Sequence, residues 1–153
     1  MQVLDMNEID KVIVQLYRCI SFDRGERPRL DTLRQLFHPE GVLINNKGDE
    51  PLVFSIDKFI DAVQERVRQG TLEEFEEREV WSRTEHFGRI AQRFSTYEAR
   101  FNRKDPEPSS RGINSIQLIK VGSAWLIVSI IWNDETGEMR IPGMYLPEHN
   151  SID

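Results

Sequence analysis

Residues 112–134 constrain the fold of this chain more than any other stretch. Two runs rich in isoleucine, valine and tryptophan flank a small turn at Gly122 and Ser123. β-Branched and aromatic residues on both sides of a glycine turn are typical of a β-hairpin. The sequence therefore predicts two antiparallel strands, with Val121 opposite Ala124 across the turn.

Both faces of this predicted hairpin are largely apolar. Because side chains alternate along a strand, counting from the turn assigns every residue to a face. One face is predicted to carry Ile113, Ser115, Gln117, Ile119, Leu126, Val128, Ile130, Trp132 and Asp134. The other is predicted to carry Asn114, Ile116, Leu118, Lys120, Trp125, Ile127, Ser129, Ile131 and Asn133. Strands that are apolar on both faces are covered on both, so we expect the chain's own helices on one side and the second subunit of a homodimer on the other.

The composition indicates one globular domain with an acidic balance. Hydrophobic residues make up 39% and charged residues 30% of the 153 residues, as in ordinary globular proteins. The net charge of −6 argues against a nucleic-acid partner, because phosphate binding needs a basic surface. We find no apolar run long enough for a membrane span and no signal-peptide core. We therefore expect a cytoplasmic protein without a membrane partner, and the single cysteine, Cys19, cannot form an internal disulfide.

Helical periodicity precedes the strands along the chain. Apolar residues at helical spacing predict helices over residues 5–22, 29–37 and 55–69, the last with Ser55 as N-cap and Gly70 as its stop. Strands are predicted over residues 42–44, 76–85 and 89–101, and a polar loop over residues 102–110 leads into the hairpin. Helices followed by strands indicate an α+β fold, with three N-terminal helices on one face of a mostly antiparallel sheet.

Several motifs accompany this order of elements. They are Phe94-Ser95-Thr96-Tyr97-Glu98, Arg111-Gly112-Ile113-Asn114-Ser115-Ile116-Gln117-Leu118, Trp125 with Ile127-Val128-Ser129-Ile130 and Trp132, and the helix pair around Tyr17 and Leu36-Phe37. Together they resemble the nuclear transport factor 2-like superfamily, and its SnoaL-like branch in particular. The resemblance implies a cone-shaped, cystatin-like roll, in which a curved sheet wraps a long helix around an apolar pocket and many members dimerise through the outer sheet face. We expect a single domain over residues 1–135 and a C-terminal tail over residues 136–153, part of which lies on a protein surface.

The resemblance does not fix an activity, because the family includes ketosteroid isomerases, limonene epoxide hydrolases, polyketide cyclases, dehydratases and pure binding or scaffold domains. The isomerases' general base would fall near Asn45, whose amide cannot accept a proton at neutral pH. Their protonated oxyanion-hole aspartate would fall at residues 115–117, where there is no acid. The epoxide hydrolases' aspartates are missing beside Arg93, Arg100 and Arg111. We therefore reject the isomerase activity and disfavour the epoxide hydrolase activity.

Other polar residues favour structural roles. Tyr97 and Glu98 alternate along a strand, so only one of them faces a pocket. For Glu98 we expect an ion pair with an arginine such as Arg100 or Arg111. We interpret the acidic run at residues 73–77 as a solvated face. The three histidines are isolated and lack metal-ligand spacing, so no metal or cofactor is predicted.

The predicted pocket lies between the first helix and the last strand. Helical spacing turns Tyr17 towards the sheet, and the hairpin register places Trp132 beside Ile130 and Ile113. The predicted polar lining residues are Ser115, Gln117 and Asp134. Apolar walls with a few polar groups are typical of small-molecule sites, so we predict a small, largely apolar ligand. Two alternatives stay open: an enzyme of the lyase, isomerase or hydrolase type with an unrecognised site, and a dimerising scaffold whose cone its own side chains fill.

Overall fold

A computed structural model describes residues 2–147, which form three helices and a six-stranded sheet. The helices are α1 (Gln2–Ile20), α2 (Leu30–Gln35) and α3 (Ile56–Gln69). The strands are β1 (Phe37–Asn45), β2 (Leu52–Ser55), β3 (Glu76–Phe87), β4 (Ile90–Arg100), β5 (Ser110–Val121) and β6 (Ala124–Asp134), and a short 3-10 helix (Gly143–Tyr145) lies in the tail. Residues 148–153 of the predicted tail lie outside the described residues.

The curved sheet has the strand order β2-β1-β6-β5-β4-β3. β1 and β6 pair in parallel, and the other neighbouring strands pair antiparallel. The helices precede β3–β6 and pack on one side of the sheet, which confirms the predicted α+β cone. Among residues 2–147, none of the helices has both the length and the apolar content that crossing a bilayer requires.

The third helix follows its sequence signals closely. The Ser55 hydroxyl accepts a hydrogen bond from the Lys58 amide at 3.1 Å, and Gly70 ends the helix in the left-handed conformation at φ 77°. The first helix ends at Ile20, before the predicted Phe22. Phe22 leaves the helix because its backbone pairs with Phe75, through N–O distances of 2.8 and 3.0 Å.

The hairpin turn lies where the sequence predicts, but the strands do not stay in the predicted register. Val121 pairs with Ala124 and Leu118 with Ile127, whereas Gln117 pairs with Ser129. Val128 is therefore the extra residue of a β-bulge in β6.

Beyond the bulge, β6 turns different side chains to each face than predicted. The concave face, which packs against α1 and α3, carries Asn114, Ile116, Ile130, Trp132 and Asp134. The outer face carries Ile113, Ser115, Gln117, Ser129 and Ile131. The prediction that Ile113, Ser115 and Gln117 share a face with Trp132 is wrong, because one inserted residue moves every later side chain to the other face.

The core fills the space between the concave face and the helices. Its fully buried members include Ile9, Ile13, Leu33, Ile60, Ile116, Leu118 and Ile127. Burying a side chain of this size contributes about 1.5–3 kcal/mol, so this layer holds the helices against the sheet.

Part of the tail packs on the outer face of the chain's own sheet. The Tyr145 ring lies 5.4 Å from both Trp81 and Phe94, measured between ring centroids. The Thr96 hydroxyl donates to the Tyr145 carbonyl oxygen at 2.8 Å. Thr96 is consequently enclosed, although it lies on the outer face.

Candidate functional site

A set of polar side chains lies on the concave face beneath α1, and we call it the concave polar cluster. Its members are Tyr17, Glu77, Glu79, Arg93, Ser95, Tyr97, Asn114 and Asp134. Strand alternation and register bring these residues together: Ser95 pairs with Asn114, and Glu79 pairs with Tyr97. A polar cluster in this position departs from the apolar core around it.

The Tyr17 hydroxyl is held by protein groups on both sides. It lies 2.6 Å from the Ser95 hydroxyl, which donates its own proton to Glu79 at 2.6 Å. Tyr17 therefore donates to Ser95, and it accepts from the Asn114 amide at 3.0 Å. Burial, with the nearby charge of Glu77, raises the pKa of Tyr17 far above its usual value. Tyr17 is therefore a neutral, fixed hydroxyl that keeps its proton at physiological pH.

Arg93 fixes the inner end of the cluster. Its guanidinium binds both oxygens of Glu79, at 2.6 and 3.1 Å, and Asp10 of α1 at 2.7 Å. The same group donates to the Thr84 hydroxyl at 3.1 Å. A buried cation is stable only when nearby groups pair with its charge. The ion pair between Arg93 and Glu79 therefore has a structural role in the cluster.

Glu77 is the member with spare hydrogen-bonding capacity. Asn114 donates to its Oε2 at 3.1 Å, so the Asn114 amide divides its two protons between Tyr17 and Glu77. Every enclosed side-chain nitrogen or oxygen in residues 2–147 has a hydrogen-bond partner. The second Glu77 oxygen has no such partner among these residues, so it borders accessible space.

The Glu77 carboxyl exchanges its proton near neutral pH. Burial and the charge of Asp134 raise its pKa to about 7, although the hydrogen bond from Asn114 opposes the shift. The carboxyl can therefore either donate or accept a hydrogen bond at physiological pH.

A second acid, Asp134, lies on the concave face at the end of β6. Tyr97, Gly112 and Asp134 stand in one row across β4, β5 and β6. The Tyr97 hydroxyl crosses above Gly112 to donate a short hydrogen bond to Asp134. A Cβ on Gly112 would collide with that hydroxyl, so glycine is what allows the crossing. Burial and the bond to Asp134 raise the pKa of Tyr97, and Lys47 lies 3.6 Å from the outer oxygen of Asp134.

Aromatic side chains border this polar row. Trp132 stands opposite Asn114 in the sheet and packs edge-on against Phe59 of α3, with ring centroids 6.5 Å apart. Phe59 packs in turn against Phe54, at 6.1 Å. Trp132 thus projects towards the helices, as predicted. The concave face combines an aromatic wall with the polar groups of Glu77 and Asp134.

The structure divides the seven predicted site residues. Tyr17, Ile130, Trp132 and Asp134 lie on the concave face, and Ile113, Ser115 and Gln117 lie on the outer face. Tyr97 is the member of its pair that faces inward. Glu98 bonds Arg78 at 3.2 Å and Arg100 at 3.5 Å, which confirms its predicted ion pair with Arg100.

Sequence reasoning missed several members of the cluster. They are Glu77, Glu79, Arg93, Ser95 and Asn114. Glu77 had been assigned to a solvated acidic run, whereas the strand turns it inward. A usable signal was present: two acids spaced two apart at the start of a predicted strand share one face.

Two surface clefts lie away from the concave polar cluster. Two clefts of about 130 and 250 Å³ lie between the α1–α2 connection and the end of α3, with Arg27 and Val67 lining both. Neither cleft includes a member of the concave polar cluster. Within the described part of the chain, no three histidine, cysteine or acidic side chains are grouped to hold a metal ion.

Comparisons with known proteins identify the fold. No protein-family model matches the sequence, and no curated protein matches it either. A protein of unknown function with a cystatin-like fold from Nostoc punctiforme superposes with a TM-score of 0.68 at 13% identity, covering 88% of this chain and 93% of that one. An NTF-2 like protein of unknown function from Silicibacter pomeroyi gives 0.63 at 17% identity, covering 88% and 99%. A protein provisionally named scytalone dehydratase from Novosphingobium aromaticivorans gives 0.66 at 13%, covering 88% and 87%. The chain has the nuclear transport factor 2-like, cystatin-like fold that its sequence predicted.

Proposed function

We propose that this protein binds a small, largely apolar molecule against the concave face, beside Trp132 and Ile130. One observation carries the proposal. The enclosed polar atoms of the concave polar cluster all have hydrogen-bond partners, whereas one oxygen of the Glu77 carboxyl has none among residues 2–147. That oxygen borders accessible space, so a bound molecule can replace the water that would otherwise bond to it. A ligand hydroxyl, carbonyl or amine beside the aromatic wall would complete its bonding.

The same observation argues against a cone that merely fills itself. Apolar side chains would pack this space without the desolvation that Glu77 and Tyr97 undergo. A site of mostly apolar wall with a few fixed polar groups is the usual form of a small-molecule pocket. Tyr17 contributes through Asn114, whose orientation it fixes, and Asp134 contributes the second acceptor.

The test is native mass spectrometry of the protein as purified. We expect an added mass on the wild-type chain that Glu77→Gln reduces and Glu85→Gln leaves in place, since Glu85 lies on the outer face. A wild-type chain without any added mass, followed by no thermal shift with a panel of neutral apolar compounds, would count against binding.

The nearly neutral pKa of Glu77 favours a second candidate, an enzyme of the lyase, isomerase or hydrolase type. Glu77 would move a proton to or from the bound molecule, since a general acid–base group works best with a pKa near the operating pH. One structural neighbour's name is that of a dehydratase. For an enzyme, Glu77→Gln would abolish conversion of the bound molecule while binding persists, whereas a binding protein converts nothing in either form.

We propose further that the protein is a homodimer through the outer sheet face. Phe87 is 81% and Ile90 60% exposed on that face, and exposed apolar side chains grouped together mark interaction surfaces. Sedimentation velocity at micromolar concentration should show a dimer, and a clean monomer would refute the assembly.

The composition supports a cytoplasmic location, and the motifs around Ser95 and Asn114 support placement in the SnoaL-like branch.

A further inference from the structure

Two carboxyls of the concave polar cluster each keep one oxygen free of hydrogen bonds. Asn114 donates to one oxygen of Glu77, and the other has no partner among residues 2–147. Tyr97 donates to one oxygen of Asp134. The other oxygen of Asp134 accepts no hydrogen bond from the described residues and lies only within ion-pair range of Lys47, at 3.6 Å. The site therefore presents two hydrogen-bond acceptors.

The hydroxyl and amide donors around these two oxygens are already engaged. The hydroxyls of Tyr17 and Tyr97 both donate to neighbours within the cluster. The two amide protons of Asn114 go to Tyr17 and Glu77. A ketone or a carboxylate, which can only accept hydrogen bonds, finds no free donor among these side chains. The two acceptors instead suit a molecule that brings its own protons.

The negative charge of the two carboxyls is not balanced by cations of the sheet. Among the described strand residues, the arginine and lysine side chains on the concave face are Arg93 and Lys120. Both are paired with other acids, Lys120 with Asp5 at 2.9 Å. Glu77 has no ion-pair partner in the described part of the chain, and the like charge of Asp134 opposes its ionisation. A cation between Glu77 and Asp134 would relieve this repulsion.

Lys47 shows that an ammonium group can reach this place. Its side chain extends from the turn between β1 and β2, and it is 46% exposed, so its hold on Asp134 is weak. Trp132 lies on the same face, two residues before Asp134 and opposite Asn114. An indole ring attracts a nearby cation and also packs against apolar groups. The surroundings of the two oxygens therefore suit an ammonium group attached to an apolar body.

Building on the small-molecule site proposed above, we propose that its ligand is a protonated primary amine, with the ammonium group between Glu77 and Asp134 and the apolar part against Trp132. An ammonium group has three N–H donors and no acceptor, so it can bond to both free oxygens. Hydrogen bonds between ionised groups are stronger than neutral ones. The ammonium group of Lys47 then competes with the ligand for Asp134.

Matched pairs of primary amines and alcohols test this choice. The butyl, benzyl, cyclohexylmethyl and phenethyl members of each pair share an apolar body, and calorimetry at about pH 8, above the pKa of Glu77, measures their affinities. We expect at least one amine to bind about tenfold or more tightly than its alcohol. Alcohols that bind as tightly as their amines would overturn the amine while the small-molecule site stands. If no member of any pair binds, the amine and the site are both overturned.

Two substitutions test the assigned groups. Glu77→Gln should lower the ratio of amine to alcohol affinity by about tenfold, whereas Glu85→Gln on the outer face should leave the ratio unchanged. Lys47→Gln should raise amine affinity several-fold, because it removes the competing ammonium group, and should not change alcohol affinity.

The matched control for Lys47→Gln is Lys11→Gln, the same charge change at a side chain of α1 that is 73% exposed. It should change neither affinity. Thermal unfolding shows whether each variant is folded, and the exposed Lys47 keeps the test decisive if Glu77→Gln does not fold. An unchanged affinity ratio in folded Glu77→Gln, or an amine affinity that falls in Lys47→Gln, would overturn the proposal.

Discussion

At the scale of single residues, Glu77 differs from the acidic residues that precede it in the environment of its carboxyl. It ends an acidic run, yet the first residues of β3 turn it into the concave face. Its folded pKa of about 7 lies above the ordinary carboxyl value of 4.5. The folded state therefore binds more protons than the unfolded state between these two pH values. Stability falls as pH rises through that window, because ionisation of Glu77 opposes its burial.

Glu77→Gln should remove this pH dependence. Compared with wild type, we expect the variant to gain on the order of 2–3 kcal/mol in unfolding free energy between pH 4.5 and pH 8. Urea denaturation at a series of pH values measures the difference, with the exposed Glu85→Gln as the control for general charge effects. Parallel stability curves for wild type and Glu77→Gln would show that Glu77 is not buried as described.

Gly112 offers a second single-residue prediction. Its Cβ would collide with the Tyr97 hydroxyl and with the Asn133 carbonyl oxygen, so Gly112→Ala forces the row across β4–β6 apart. Overpacking of this kind costs about 1–3 kcal/mol. Gly137→Ala, where nothing lies within 4 Å of the added atom, is the matched control. Chemical denaturation compares the two, and equal stabilities would contradict the close crossing of Tyr97.

At the scale of elements, the hairpin shows what sequence patterns can and cannot supply. Its turn and both strands were predictable, because β-branched runs and a glycine turn are local signals. The bulge at Val128 was not, since an extra residue among Ile127, Val128 and Ile130 leaves an apolar run unchanged in appearance. The pattern therefore places Ile113, Ser115 and Gln117 of β5 on the same face as Trp132, which is wrong, although Trp132 itself is correctly predicted to face the helices.

The polar cluster escaped prediction for a related reason. It is built by register between four strands and α1, and register depends on the whole sheet rather than on any one segment. Asn114 had been placed on the face opposite Trp132, so its link to Tyr17 could not be foreseen.

The tail provides a prediction at the same scale. Tyr145→Ala removes a ring that packs on Trp81 and Phe94, and should expose both. We expect a red-shifted tryptophan emission and a loss of about 1–2 kcal/mol, less than for a fully buried aromatic residue because Tyr145 is only partly buried. Met139→Ala, at a residue 49% exposed, should change neither quantity. Unchanged emission in Tyr145→Ala would mean that the tail does not cover these rings.

At the scale of the whole molecule, the fold class followed from the order of elements alone. Three helices followed by a run of strands predict a sheet that the helices cover on one face. The parallel pairing of β1 with β6 was not predictable, because no local pattern records which distant strand will be a neighbour.

That pairing joins β1 and β2 to the four strands β3–β6, with Leu43 beside Ile130, and it has a consequence for how the chain is made. During synthesis β1 emerges early, but β6, with which it pairs, is the last strand to emerge. A large loop must therefore close before β1 is fully paired in the sheet. A chain ending at residue 121 should therefore stay unfolded by circular dichroism and be cut rapidly by protease, whereas one ending at residue 147 should resist. On the ribosome, the apolar faces of the helices and of β1 stay exposed until β6 leaves the exit tunnel. The nascent protein most needs a chaperone during this interval, because exposed apolar surface favours aggregation.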